Sequence, residues 1–363
     1  MRLFQNSGVY RAYFTRLHRL TRGLTSFNAC RAAFLADRFN ASHFLLPTLT
    51  GDESAFLTNG DDEQLQKMWA AEQGMSADAD LGAILLAQIE HHRTEIFYNM
   101  DPMRYGSEFI RRLPGCVKHS IAWRAAPSAG GDFGAYDRIV CNFPAILQSY
   151  RDRGWKAAFF APAHDPVMDR YASNTDRPID ILFVGGYSRH HRRRAEVLEK
   201  VAELSDRFQI RFHLDRSRLT KLAEAPWGHL LPLGKHRRPR AIRRMSEAPV
   251  FGLDLYQQLS RAKIVLNGAV DMAGEDRGNM RCFEAMGCGA LMLSDAGRYP
   301  QGMQDGVNML TYRDGDDAVR LAQDILAKPE ALHRMAAAGH ESVSTIYSKA
   351  SQWRDFKNIV EAL

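Results

Sequence analysis

The chain has 363 residues, of which 45% are hydrophobic, and a formal net charge of +6. Single hydrophobic cores stop growing at about 250–300 residues, so this length predicts two domains. No run approaches the roughly 18 consecutive apolar residues that cross a bilayer, and residues 1–24 lack the apolar centre of a signal peptide, which predicts an unexported chain without a membrane span. The five cysteines are odd in number and contain no C-x-x-C pair, as expected for reduced thiols in the cytoplasm.

The first half of the chain alternates short apolar runs with segments of helical spacing. Such alternation predicts parallel βαβ units, in which the polar residues that follow each strand meet at the carboxyl edge of the sheet. Four such residues are candidates for ligand contacts: Gly8, Asp101, Asn142 and His164. The predicted strands are 2–5, 96–98, 117–123, 138–142 and 157–160, and the predicted helices are 9–20, 63–73, 80–92, 107–113 and 144–153.

The stretch 165–180 is the best linker candidate because it contains Pro166, Asn174 and Pro178, and the alternation restarts after it. We therefore predict one domain at residues 1–170 and a second at 171–363. The predicted strands of the second domain are 179–184, 210–214, 230–233, 263–266 and a strand that begins at 291, and its predicted helices are 193–204, 255–262, a short helix before 287, 316–327, 329–347 and 351–362.

Residues 277–297 read as a glycine-opened turn, a short helix, a glycine stop and a buried strand. The start of a helix offers unpaired N–H groups and the positive end of a dipole to a phosphate. Glu284 lies one to two turns further on, where its carboxylate can accept hydrogen bonds from ribose or sugar hydroxyls. Together these features predict a site for a nucleotide-diphosphate sugar. The alternative is an ordinary core helix on which Glu284 is a solvated acid.

The run Phe283–Gly289 resembles the donor-site motif of group 1 (family 4-like) glycosyltransferases, F/L-E-A-M/L-A-C-G followed by a hydrophobic strand. Met280–Arg281 with Phe283–Ala285 also resembles the N/G-M-R-x-F-E-A variant of the spore-maturation (CgeB-like) branch. The resemblance implies an α/β fold of the GT-B type: two Rossmann-like, doubly wound domains that face a cleft, with helices at the C-terminus. It places the donor in the second domain and the acceptor in the first.

The resemblance also implies two acids eight residues apart that bracket the donor. Glu284 is the second of them and holds the ribose. Counting back eight residues gives Asp276, which stands where the family usually has glutamate. The N–H groups near Gly278, Asn279 and Met280 are the expected contacts for the diphosphate.

A second glycine turn, Gly185–Gly186, follows the predicted strand at 179–184 and allows the backbone to approach a phosphate. The resemblance implies that this loop, including Ser188, touches the donor diphosphate. Arg189 is the first candidate for the cation that neutralises it and Arg281 the rival, because a guanidinium fits phosphate oxygens in a bidentate manner. The alternative is a plain βα turn followed by a solvated helix face.

Asp101 is the candidate general base if the enzyme inverts the anomeric centre, since a buried carboxylate with a raised pKa can deprotonate an acceptor hydroxyl near neutral pH. The alternative is structural, because Asp-Pro after a strand commonly starts a turn. We predict neither metal nor cofactor: there is no D-x-D in a strand context and no H-E-x-x-H, and arginine with the helix N-terminus would take the donor charge.

Two basic clusters, Arg189–Arg194 and His236–Arg244, indicate an anionic partner. The second lacks the interleaved aromatic residues of nucleic-acid sites, so we expect no nucleic acid. An anionic membrane surface, a charged acceptor and a solvated loop all remain as interpretations of His236–Arg244.

The sequence therefore predicts a metal-independent glycosyltransferase that moves a sugar from a nucleotide-diphosphate sugar to an acceptor hydroxyl. The acceptor would be a glycan, a lipid-linked or surface polysaccharide precursor, or a protein. We expect a cytoplasmic protein whose basic clusters are candidates for contact with the inner face of the membrane. The alternatives are a non-catalytic nucleotide-sugar-binding protein and a basic nucleic-acid-binding protein; an epimerase is disfavoured because no G-x-G-x-x-G follows a first strand.

Overall fold

The computed structural model describes residues 1–128, 130–187, 192–268 and 273–363. The chain forms two compact units. The first contains Met1–Ala163, residues 273–276 and Tyr347–Leu363, and the second contains the described residues of 164–271 together with Arg277–Ile346.

The first unit is built on a parallel sheet with six strands among the described residues, in the order β2-β1-β3-β4-β5-β6. Its central strands are apolar on both faces, as expected for parallel strands covered by helices on both sides. Leu3 and Phe4 on β1 and Phe97 and Tyr98 on β3 are all buried. The strands are β1 (Leu3–Ser7), β2 (Ala55–Asn59), β3 (Ile96–Asn99), β4 (His119–Trp123), β5 (Arg138–Cys141) and β6 (Ala157–Phe159).

The helices of the first unit include the last helix of the chain. Several begin at a residue whose side chain accepts a hydrogen bond from the first turn, as Ser26, Asp62 and Asp80 do, and these contacts fix the helix starts. The helices are α1 (Phe14–Leu20), α2 (Phe27–Ala36), α3 (Leu46–Thr50), α4 (Glu63–Glu72), α5 (Leu81–His91), α6 (Ser107–Ile110), α7 (Pro144–Arg151) and, at the end of the chain, α16 (Lys349–Glu361).

The second unit has its own parallel sheet, with six strands in the part of the chain that is described, in the order β12-β11-β10-β7-β8-β9. Its strands are β7 (Ile179–Gly186), β8 (Ile210–Asp215), β9 (Ser246–Glu247), β10 (Ala262–Leu266), β11 (Leu291–Asp295) and β12 (Leu310–Tyr312). Its helices are α8 (Asp169–Ala172), α9 (Arg192–Ala202), α10 (Arg218–Ala223), α11 (Arg240–Met245), α12 (Gly252–Ser260), α13 (Met280–Gly287), α14 (Gly315–Leu326) and α15 (Pro329–Ile346).

Most predicted elements lie within a few residues of those observed. The predicted strand at 230–233 is wrong: short 3₁₀ turns occupy Gly228–Leu230 and Gly234–His236, because Pro232 has no N–H for a ladder. The sequence analysis missed α2, α3, β2, α8, α10, α11, β9 and β12. No helix in the described ranges is both long enough and apolar enough to cross a membrane.

The C-terminal helix is tied to the first unit by a buried lysine. The Lys349 ammonium, 3% exposed, donates to the carbonyl oxygens of Ala41 and Phe44 at 2.7 Å each and to Gln352 Oε1 at 3.1 Å. Gln352 adds bonds to two further backbone carbonyls, those of Ser42 and Ala161. These bonds tie the C-terminal helix to the backbone of the short 3₁₀ turn near Ser42 and to the chain at Ala161.

We expect Lys349→Met to lower the free energy of unfolding by about 2–4 kcal/mol, because the buried carbonyl oxygens lose a charged donor while the aliphatic stem is kept. Chemical denaturation measures the change. Lys357→Met, at an exposed position of the same helix, is the matched control and should lie within about 0.5 kcal/mol of wild type. Equal effects of the two substitutions would contradict this role.

Candidate functional site

Both sheets have a topological switch point, at which successive strands are added on opposite sides. In the second unit it lies between β7 and β10, and in the first between β1 and β3. The loops that leave the carboxyl ends of two such strands diverge and open a crevice, which is where open α/β sheets bind ligands. The residues that follow these four strands are therefore candidates for ligand binding and catalysis.

At the switch point of the second unit, β7 ends in Gly185–Gly186 and β10 is followed by Asn267. Gly186 is exposed, and a Cβ placed on it would meet nothing within 4 Å, so the backbone here is open to a ligand. Asn267 is 6% exposed, and its Nδ2 donates to Ser294 Oγ at 3.0 Å, at the end of the adjacent strand β11. These bonds hold the carboxyl edge of β10 and β11 in one arrangement.

Helix α13 begins beside this edge. Asn279 stands at its N-cap but makes no side-chain cap; instead its Nδ2 donates to Asn267 Oδ1 at 3.2 Å. Within the described ranges, no acceptor receives the N–H groups of Met280 and Arg281. Gly278, immediately before the cap, has φ +112°, a conformation that favours glycine. The helix therefore presents free N–H groups and the positive end of its dipole, a suitable arrangement for an anion.

Glu284 and Arg281 form a buried ion pair on the first turns of α13. Glu284 is 3% exposed, and its Oε2 accepts from Arg281 Nη1 at 2.6 Å. Burial raises the pKa of the Glu284 carboxyl, and Arg281 opposes that rise. Arg281 Nε is buried and has no partner among the described residues. The pair thus leaves Glu284 Oε1 to accept from a hydroxyl and leaves Arg281 with a donor for an anion.

A further ion pair supports the loop before α13. Arg277 Nε lies 2.6 Å from Asp295 Oδ2 at the end of β11, and Tyr299 donates from its hydroxyl to the Asp295 carbonyl at 2.6 Å. The sequence analysis missed Asn267, Ser294 and Asp295 as parts of this site. A weak sequence pattern could have identified them, because each is a polar residue at or just beyond the end of an apolar strand.

In the first unit, Gly8 and Asp101 meet at the switch point between β1 and β3. A Cβ on Gly8 would stand 3.2 Å from Asp101 Cβ and 3.3 Å from its Oδ2, so the bare glycine backbone lets the carboxylate approach. Arg104 Nε lies 3.5 Å from Asp101 Oδ2. Burial raises the pKa of Asp101, and Arg104 and Arg124 counteract the rise.

A second carboxylate, Asp61, lies close enough to Asp101 to be affected by its charge, and it was missed by the sequence analysis. Its Oδ2 accepts from the N–H of Val9 at 2.9 Å, while its buried Oδ1 has no hydrogen-bond partner among the residues that the structure describes. Burial, with the charge of Asp101 as a smaller cause, raises the pKa of Asp61 to about 6. Two neighbouring carboxyls in one desolvated site titrate together and readily hold one shared proton.

A buried hydrogen-bond network fixes this pair in place. Asn6 Oδ1 accepts from the N–H of Gly60, its Nδ2 donates to Asn99 Oδ1 at 2.8 Å, and the same Asn99 oxygen accepts from the N–H of Asp101 at 2.9 Å. The three loops that follow β1, β2 and β3 are thereby joined. A cavity of about 700 Å³ lies in the same unit, and its walls include Arg104, Tyr105 and Arg111.

His164 and Asn142, the remaining predicted ligand contacts, are both buried, at 3% exposed each. His164 Nε2 is 2.7 Å from Asp169 Oδ1, and its Nδ1 would be 3.0 Å from a Cβ on Gly287, at the end of α13. Burial lowers the pKa of His164, which disfavours its charged form. Its observed contacts are those of a packing residue.

Residues 191–358 match a protein-family model described as glycosyl transferase-like. Among solved structures, HepE from Anabaena in complex with UDP-glucose has a TM-score of 0.61 at 11% identity, with 99% of each chain covered. Sucrose-phosphate synthase from Thermosynechococcus elongatus has a TM-score of 0.55 at 11% identity, covering 99% of this chain and 98% of the synthase. TarM from S. aureus has a TM-score of 0.53 at 11% identity, covering 77% and 59%.

The chain has the fold of a GT-B glycosyltransferase. The predicted fold class is confirmed, and the motif at 283–289 lies within the stretch that matches the glycosyl transferase-like model. No curated protein shows significant sequence similarity to the chain.

Within this GT-B fold, the structure brings five predicted site residues together around the start of α13: Gly278, Asn279, Met280, Arg281 and Glu284. Gly185 and Gly186 lie at the carboxyl end of β7, the neighbour of β10.

Two further predicted residues, Ser188 and Arg189, lie outside the described residues. Asp276 belongs to the first unit, where its Oδ2 accepts from the N–H of Ala145 at 2.6 Å in the first turn of α7. This hydrogen bond stabilises the start of α7, so Asp276 has a structural role there. In the described ranges, no three His, Cys, Asp or Glu side chains are grouped to hold a metal ion.

The raised pKa of Asp61 has a defined effect on stability. The unfolded chain releases this proton near the ordinary value of 3.8, whereas the folded chain holds it up to about pH 6. Ionisation therefore penalises the folded state as pH rises through this window. We expect Asp61→Asn to gain about 2–3 kcal/mol in unfolding free energy relative to wild type between acidic and neutral pH. Urea denaturation across this range measures the gain.

Asp52→Asn provides a control of opposite sign, because hydrogen bonds from Ser54 lower the pKa of the exposed Asp52 carboxyl. That variant should lose stability relative to wild type as pH rises. The same pH trend in both variants would contradict the assignment of a raised pKa to Asp61.

Proposed function

We propose that the protein is a glycosyltransferase that moves a sugar from a nucleotide-diphosphate sugar to an acceptor hydroxyl. We place it in the spore-maturation (CgeB-like) branch on the strength of Met280–Arg281 followed by Phe283–Ala285. One observation carries the proposal: helix α13 starts without a side-chain cap at the switch point of the second unit, with Glu284 buried on its first turns. This arrangement combines an anion site with a hydroxyl acceptor.

In this proposal the diphosphate binds the N–H groups of Met280 and Arg281 and the Arg281 side chain. Glu284 Oε1 accepts from the ribose hydroxyls, while Arg281 opposes the rise that burial causes in the pKa of the carboxyl. Gly278 and Asn279 shape the turn, and Gly185 and Gly186 leave room for the phosphates. We propose Ser188 and Arg189 as further donor contacts, and Asp276 as a weaker candidate, because its carboxylate already caps α7.

Asp101 is the proposed general base, and Asp61 is its partner. Loss of the acceptor proton to Asp101 makes the hydroxyl oxygen a better nucleophile for the anomeric carbon. Burial raises the pKa of Asp101 toward the working range, and Arg104 lies 3.5 Å from its carboxylate. The charge of Asp101 in turn contributes to the raised pKa of Asp61. We propose metal-independent chemistry, in which Arg281, Arg189 and the helix N–H groups stabilise the departing diphosphate.

The cavity beside Arg104 is the proposed entrance for the acceptor, which would be a glycan, a lipid-linked or surface polysaccharide precursor, or a protein. Its wall mixes Arg104, Arg111 and Arg112 with Asp80, Glu108 and Asp132, and such a mixture suits a polyhydroxylated chain. We propose a cytoplasmic location with contact at the inner face of the membrane.

A second candidate function is a nucleotide-sugar-binding protein without turnover. The bond between Asp276 and α7 favours it, since this acid would otherwise be expected at the donor. Release of free sugar from the donor by the purified protein would rule it out.

We expect Glu284→Gln to weaken UDP binding by about 10- to 100-fold, because a hydrogen bond to a charged acceptor contributes about 1.5–3 kcal/mol. Glutamine keeps the shape of the side chain, whereas alanine would strand Arg281 in a buried position. Titration calorimetry measures the dissociation constant. UDP is the first nucleotide to test, since the Anabaena HepE structures contain it.

The matched control is Glu341→Gln, at an exposed position of the same unit, which should bind UDP as wild type does. If Glu284→Gln also kept wild-type affinity, Glu284 would have no part in ribose binding.

We expect Asp101→Asn to lower the transfer rate by about 10²- to 10⁴-fold, the usual contribution of a general base, and to leave UDP affinity unchanged. Wild-type activity should fall at acidic pH, where the Asp101 carboxyl, whose pKa is raised by burial, takes up a proton and no longer acts as a base. Asp61→Asn removes the neighbouring charge, lowers the pKa of Asp101 and moves this acidic limb to lower pH. The pH profiles of the three proteins measure the effect, and an acidic limb that stays in place would exclude Asp61.

A further inference from the structure

The segment 216–244, between strands β8 and β9, is a compact excursion at the edge of the second unit's sheet. A buried ion pair anchors it: Arg238 Nε lies 2.7 Å from Glu224 Oε1, with the two side chains 4% and 7% exposed. Gly228 packs so closely on the end of α10 that a Cβ there would lie 2.2 Å from the Leu222 carbonyl oxygen. Ile242 on α11 is fully buried. These contacts anchor the backbone of the segment to the second unit.

Four large apolar side chains of this segment face solvent. Leu219 is 44% exposed, Leu222 40%, Trp227 51% and Leu230 76%. They account for four of the twelve large apolar residues that are exposed in the described ranges, although they span only twelve positions. Single exposed leucines are ordinary, but a cluster of this kind marks an interaction surface.

The net positive charge of the chain comes from this same segment. It contains nine of the 48 Lys and Arg residues but one of the 42 Asp and Glu residues, and that acid, Glu224, is neutralised by Arg238. The remainder of the chain is slightly acidic. Seven of the nine cations are exposed, and they are Arg216, Arg218, Lys221, Lys235, Arg240, Arg243 and Arg244. We name the seven cations and the four apolar side chains the basic-apolar surface.

We propose that the basic-apolar surface docks onto a lipid bilayer that contains anionic headgroups. The exposed Trp227 and Leu230 would enter the interfacial region, and the cations would lie against lipid phosphates. Tryptophan is favoured at the water-lipid interface, and basic residues are attracted to an anionic leaflet. The inference narrows the membrane contact proposed above to one surface, and it does not depend on sugar transfer.

Charge and side-chain type favour this partner over two others. A second copy of the chain would bring two strongly positive surfaces together, which is repulsive. Single-stranded RNA is attracted by the same cations, but three of the four apolar side chains are leucines, which offer no ring on which a base can stack. Aliphatic side chains gain most from contact with hydrocarbon.

Flotation of the full-length protein with lipid vesicles tests the proposal. We expect binding to vesicles of phosphatidylcholine with added phosphatidylglycerol, weaker binding as salt is raised, and little binding to phosphatidylcholine alone. Each cation near an anionic surface contributes about a fivefold change in partition, so Arg243→Glu with Arg244→Glu should reduce binding at least about 25-fold. Leu230→Ser should reduce binding as well.

Matched controls separate a defined surface from general charge. Lys328→Glu with Arg334→Glu makes the same change in net charge at exposed positions of the same unit, and Val307→Ser replaces another exposed apolar residue, 56% exposed. Both controls should bind vesicles as wild type does. UDP affinity, measured on all variants, should not change, and it reports separately on the proposed transferase function.

Three results would overturn the proposal. The first is equal binding to neutral and anionic vesicles, and the second is equal loss of binding in the variants and their controls. The third is binding to a single-stranded RNA oligonucleotide that depends on Arg243 and Arg244, without binding to anionic vesicles, which would assign the surface to nucleic acid. Unchanged UDP affinity in any of these cases would leave the transferase proposal standing.

Discussion

The parallel direction of all strands in each sheet decides where this protein can bind a ligand. Carboxyl ends of parallel strands meet at one edge, and at the switch point the loops diverge, so backbone groups there have no neighbour from the next connection. Gly8 and Asp101 flank that point in the first unit, and Gly185 and Asn267 flank it in the second. Asp101 and Asn267 lie within two residues of the end of a buried strand, and the buried strands limit how far these residues can move.

Two electrostatic effects oppose each other at the start of α13. A helix start attracts an anion, but a buried carboxylate on the same turns repels it and resists desolvation. Arg281 resolves the conflict, since it neutralises Glu284 at 2.6 Å and keeps a buried Nε free of protein partners in the described ranges. The ion pair is therefore better understood as an orienting device than as a source of stability, because a buried pair of charges gains little over apolar packing.

The features that the sequence predicted are local patterns, whereas those that it missed depend on contacts between residues far apart in the chain. The α13 site was predictable because the turn, the helix and Glu284 lie within ten consecutive residues, and the alternation of strands and helices is a local pattern as well. The pairing of Asp61 with Asp101 was not predictable, because it depends on β2 and β3 lying on either side of β1. The bonds from Lys349 to Ala41 and Phe44 join residues more than 300 positions apart. No local pattern reports such contacts.

The strand that was predicted at 230–233 and is absent from the structure shows that a local apolar pattern does not always form a strand. Leu230 and Leu233 flank a proline, so a ladder would lose a donor there, and Gly228 allows the chain to fold tightly against α10 instead. The apolar residues then have no sheet to cover, and Leu230 is left 76% exposed among cations. Exposing a leucine in this way costs free energy unless something covers it. The segment 216–244 holds nine of the chain's Lys and Arg residues, so the apolar and the basic parts of the proposed membrane-docking surface come from one excursion of the chain.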